Sequence, residues 1–155
     1  MKNILITLIP LTISFNLLAA CPDLIGRYRK CKSEVNPNMR GEYIIDQHQE
    51  NNYTVYKVQF IDDETGDEKT DTIPTNGVVI SRKERVPKIG INVRVEASST
   101  CAFNQVVTES ELFFLRGNVG HFTTKIFREG KTLHSNIDGH YLKKDITKRI
   151  TCELE

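Results

Sequence analysis

The clearest chemistry in this 155-residue chain belongs to four cysteines, Cys21, Cys31, Cys101 and Cys152. An even count in an exported chain points to two disulfides, and three pairings are open. The spacing favours Cys21–Cys31 with Cys101–Cys152. The first would close a short N-terminal loop, and the second would tie the last strand to the body. Zinc is the competing chemistry, but it calls for paired C-x-x-C knuckles and reduced thiols, and neither suits this spacing in an oxidising compartment. Cys21 has a second reading. Leu18-Ala19-Ala20-Cys21 has the residue pattern of a bacterial lipobox, whose cysteine is acylated. Against it, Pro22-Asp23-Leu24 runs straight into a strand where a polar tether is usual, and acylation would leave an odd number of cysteines. Cys21 is therefore expected in a disulfide, with a membrane-anchored lipoprotein as the alternative.

The other reactive side chains form weaker constellations. Asp62, Asp63, Glu64, Asp67 and Glu68, with Asp71, surround Gly66 and could offer oxygens to calcium. An EF-hand register would place Ile61 first, so a solvated turn whose charges block edge pairing is expected. Asp46 and His48 share one strand face, so the carboxylate could orient that imidazole. His134 and His140 flank Asn136 and Asp138; neither group, nor His121, has a metal spacing. Arg82, Lys83, Arg85, Lys88 and Arg94 form one basic cluster, and Arg27, Arg29, Lys30 and Lys32 another. With the acidic hairpin these could make a polar docking surface, although solvated strand faces account for them as well. No G-x-S-x-G elbow is present, and the cysteines serve better as disulfides than as thiolates. Asn52-Tyr53-Thr54 fits a glycosylation sequon. No catalytic, cofactor or metal residue is assigned.

These groups need a compartment and a scaffold. Residues 1–20 read as a signal peptide, with Lys2, an apolar run from Ile4 to Leu18, and small Ala19-Ala20. The run is too short and polar for the roughly 20 apolar residues of a spanning helix. Residues 21–155 then form a single disulfide-stapled β-domain, exported to the periplasm or secreted. Of 21 Lys+Arg, loss of Lys2 leaves 20, against 20 Asp+Glu. A neutral domain is a poor nucleic-acid binder, which needs clustered cations to neutralise phosphates.

Strand and turn signals recur throughout, and helix signals are nearly absent. GRYRKC, EYIIDQH and YTVYKVQFID are β-branched and aromatic runs separated by polar turns. Asn76-Gly77 is the strongest hairpin signal, suited to a type I′ turn. Ile91, Val93, Val95 and Ala97 alternate with polar residues, as in a strand with one buried face. The segment 102–116, containing LFFL, is apolar enough to be central. Turns are expected at Glu64–Asp67, Glu129–Lys131 and Asp138-Gly139. Ile146, Ile150, Cys152 and Leu154 line one face of the last strand, with Lys148 the exception. The pattern predicts an all-β antiparallel meander of about eight to ten strands, closed as a barrel, with a β-sandwich as the alternative.

CPDLIGRYRKC resembles the opening of small exported bacterial β proteins that begin Cys-Pro-x-Leu-x-Gly-x-Tyr. Gly26-x-Tyr28 also resembles the Gly-x-Trp that opens lipocalin and other calycin barrels. The resemblance implies a calycin-like barrel whose base is closed by Gly26 and Tyr28, with Arg149 packed on the ring. It further implies a pocket for a small apolar ligand in a barrel of roughly eight strands. The expected function is therefore non-enzymatic: an envelope protein holding a small apolar or amphipathic ligand. The alternative is a protein-interaction module, an inhibitor or assembly factor using its polar hairpins to bind an envelope protein. A hydrolase stands third.

Overall fold

Ten antiparallel strands are joined in one sheet, several of them with alternating buried and exposed side chains. The computed structural model describes residues 20–34, 41–85 and 90–155. All of the proposed signal peptide but Ala20, and Lys88, lie outside them. The strands are β1 (Gly26–Ser33), β2 (Glu42–Glu50), β3 (Tyr53–Ile61), β4 (Glu68–Pro74) and β5 (Ile80–Arg85). They continue as β6 (Asn92–Ala102), β7 (Gln105–Phe114), β8 (Gly117–Glu129), β9 (Thr132–Tyr141) and β10 (Lys144–Leu154). The spatial order is β4-β3-β2-β1-β10-β9-β8-β7-β6-β5. Two meanders, β1 to β4 and β5 to β10, are thus fused where β1 pairs with β10.

The sheet curls through 309° and stays open. This corrects the expected closed barrel, and a single sheet takes the place of the sandwich alternative. The cause lies at Asn76-Gly77, which forms no hairpin between β4 and β5. The connection instead runs alongside the edge of β6: Asn76 bridges Thr100, and the Gly77 amide donates to the Ser99 carbonyl at 2.9 Å. β4 and β5 are left as two facing edges, carrying Lys69 and Asp71 on one side and Arg82, Lys83 and Glu84 on the other. Charge along both edges discourages a ladder between them.

The other turns explain the remaining hairpins. Phe103 and Asn104, and likewise Leu142 and Lys143, take positive φ in two-residue links, the conformation that matches strand twist. The expected turn at Asp138-Gly139 is corrected, since both residues lie inside β9. Gly139 is needed there for close approach, because a Cβ would collide with the His121 carbonyl and would lie 2.7 Å from Phe122 Cα on β8.

The disulfides also depart from expectation. Cys21 is bonded to Cys101, and Cys31 to Cys152. Strand order, which local spacing does not reveal, decides this pairing. Cys31 and Cys152 sit on laddered neighbours with Cα atoms 4.1 Å apart. Their bond spans the β-bulge where the register shifts between Arg29 and Lys32. The Cys21–Cys101 bond holds the N-terminal segment to β6 beside the seam, so each cystine reinforces a place where the ladder is interrupted. Closing loops of 80 and 121 residues, each bond contributes about 2–5 kcal/mol.

Candidate functional site

The packed core gathers at one end of the curled sheet, which serves as its base. Leu24, Tyr28, Ile45, Tyr56, Val106, Leu133 and Ile150 pack there with Cys31 and Cys152. The extended segment 21–25 crosses this base because it carries its own polar anchors. The Tyr56 hydroxyl donates to the Pro22 carbonyl at 2.6 Å, and the Tyr28 hydroxyl to the Leu24 carbonyl at 2.9 Å. The Leu24 amide donates to Gln47 Oε1 at 3.1 Å. Burial raises both phenols, Tyr56 to about 12.

Tyr28 is fully buried in this cluster, and Gly26 at the start of β1 lies against its ring and Leu154. Arg149 does not join them in any contact found: it donates to Asp138 at 2.7 Å and to the Ile137 carbonyl at 3.1 Å. The guanidinium whose charge acts on the Tyr28 phenol belongs to Arg128 on β8, which donates to the Ile25 carbonyl at 3.4 Å and pairs with Asp23 at 3.1 Å. Only strand order distinguishes these two arginines.

Above the base, a cavity of about 250 Å³ opens at the seam. Asp71 to Pro74 line one edge, and Val78, Ile80 and Arg82 the other. Its inner wall is built by the alternation of three consecutive strands: Ala97 and Ser99 of β6, Thr108 and Ser110 of β7, and Thr124 and Ile126 of β8. Ser99, Thr108 and Thr124 lie side by side in register. Ser99 and Thr108 share a 2.8 Å hydrogen bond. Ile126 also lines a smaller apolar space of about 50 Å³ between Ile45, Val58, Leu133 and Ile150. The seam rim is ionic. Arg82 Nη1 meets Asp71 Oδ1 at 3.1 Å across the gap, and Arg82 Nε meets Glu84 Oε1 at 2.7 Å. The arrangement offers apolar contact at depth, hydroxyl donors and acceptors midway, and a compensated charge at the mouth.

Most groups singled out by sequence are engaged elsewhere. Phe113 packs under the Arg94 guanidinium at 4.4 Å, and Phe127 stacks on His134 at 4.8 Å. Neither they nor Phe114 and Phe122 are fully buried, so the LFFL segment does not form the core. His134 and His140 share one strand instead of flanking a turn. His121 Nε2 lies 3.1 Å from Glu109. The Asp62 carboxylate accepts from the Glu64 and Thr65 amides at 2.8 and 3.0 Å, which lowers its pKa. Arg27 and Arg29 converge on Glu42, and Lys30 pairs with Glu153. Among the described residues, no group of three His, Cys, Asp or Glu could hold a metal.

The hydroxyl wall escaped sequence reading for a definite reason. Ser98-Ser99-Thr100 and Thr123-Thr124 are polar on both faces, so periodicity does not separate inward from outward positions. The buried Val93 and Val95 carry the signal that would have found it, because extending their parity along β6 places Ala97 and Ser99 inside. No family model, curated protein or solved structure matches the chain.

Proposed function

We propose that this is a non-enzymatic binding protein of the bacterial envelope, holding a small apolar or amphipathic molecule in its curled, calycin-like barrel. The seam cavity carries the reading. Its 250 Å³ lies just below the usual range for ligand sites, and its wall of apolar side chains with a few convergent hydroxyls is the lining such sites use. A compact ligand fits it better than a long lipid chain. Two disulfides are compatible with an exported protein, and no described helix is long and apolar enough to cross a membrane. The Cys21 sulfur cannot be both disulfide-bonded and acylated, so the bond to Cys101 supports the freely exported form over the lipoprotein.

Titration with N-phenylnaphthylamine, whose fluorescence rises in apolar surroundings, tests the site. Wild-type protein gives saturable enhancement. Thr124→Phe, filling the cavity from β8, weakens the probe by at least about tenfold while the protein stays folded. Equal enhancement by both proteins would place the probe elsewhere and remove the support for this site.

A further inference from the structure

The end of the curled sheet opposite the packed base presents a second surface, independent of the cavity. The β7–β8 turn holds Leu115-Arg116, and the β9–β10 turn holds Leu142-Lys143, followed by Lys144. The two turns are neighbours, since the Leu142 amide donates to the Val119 carbonyl at 2.9 Å, just inside the start of β8. Leu115 is 87% and Leu142 60% exposed, although both are large apolar residues. Both also take positive φ, 55° and 47°, which suits Asn or Gly and costs a leucine about 1–2 kcal/mol. Neither leucine is in the packed core, so folding alone does not account for them.

Each leucine is followed by exposed cations, and no described residue forms an ion pair with Arg116, Lys143 or Lys144. Phe103, at the base end, is also exposed with positive φ, but it is followed by Asn104 and Gln105 and lacks the charge. Apolar tips flanked by cations complement an anionic lipid surface: the tips enter the headgroup boundary and the cations meet phosphates. We propose that these two turns dock the barrel on anionic lipid, with Leu115 and Leu142 as inserted anchors and Arg116, Lys143 and Lys144 as headgroup contacts. The acidic β3–β4 turn lies at the same end but is separated from β10 by β2 and β1. Its repulsion from the lipid tilts the barrel toward the basic turns.

Sedimentation with vesicles of phosphatidylglycerol and phosphatidylcholine, against phosphatidylcholine alone, tests the docking. The wild-type protein binds the anionic vesicles at least about tenfold more tightly, and added salt weakens the binding. Leu115→Asn/Leu142→Asn abolishes at least about tenfold of that affinity while its Tm holds or rises, because asparagine accepts the turn conformation. Equal binding to both vesicles, no binding at low salt, or anionic binding that survives the double substitution would each overturn the proposal. If the double variant unfolds, Arg116→Ser/Lys143→Ser/Lys144→Ser gives the same reading, because full retention of binding would overturn it too.

Discussion

Tyr56 and Tyr28 show how single residues hold this fold. Each ring fills the base while its hydroxyl satisfies a carbonyl of the crossing N-terminal segment. Both halves matter, since a buried carbonyl without its donor costs about 1–3 kcal/mol. Burial, with the Asp23 charge acting in the same direction, pushes the Tyr56 phenol up to about 12. A raised folded-state pKa means that the neutral form is the one the fold stabilises. That stability is fully present below the unfolded tyrosine value of about 10 and is lost as pH rises through about 12. Phenolate absorbance therefore resolves a late-titrating group coincident with alkaline unfolding. Tyr56→Phe removes that group and costs about 1–3 kcal/mol at neutral pH. Titration of all five tyrosines near the ordinary value would contradict this account of the base.

At the scale of elements, β9 shows what was legible in the sequence and what was not. Strand character was readable: alternation placed Val93 and Val95 in the core, and they are 3% and 7% exposed. Turns around Gly66 and Gly130 were readable too, because both glycines sit at positive φ with open space around them. Glycine has a second use, however, and composition does not distinguish the two. Gly139 lies within a strand because β8 passes too close for a Cβ. Gly139→Val should therefore destabilise by about 1–3 kcal/mol, through backbone that must move. Chemical denaturation measures this, and an unchanged midpoint would show that the approach is looser than described. Asn76-Gly77 failed as a hairpin signal for a related reason. Asn-Gly favours a reversal of the chain, but which strand receives it depends on partners distant in sequence. The cystines follow the same logic, since Cys31 meets Cys152 only once β1 and β10 are known neighbours.

For the whole molecule, the decisive property is the strand order, which fuses two meanders and leaves β4 and β5 facing across a seam. An all-β meander of this size was legible, but the open seam was not, because closure depends on whether two edges far apart in sequence pair. The cavity is a consequence of that openness. Packed side chains fill the base, whereas small hydroxyl residues on β6, β7 and β8 leave space beneath the seam. The candidate site is therefore a property of the assembled sheet, and none of its residues stands out by type. Its mouth lies along the side of the barrel, so ligand exchange and docking of the Leu115 and Leu142 turns can proceed independently. Native mass spectrometry of the protein purified without denaturation tests the central claim most directly. The account predicts a bound small molecule that leaves on mild collisional activation and is absent from Thr124→Phe. Recovery of the bare polypeptide mass alone, or of a retained second protein subunit with no small molecule, would contradict it.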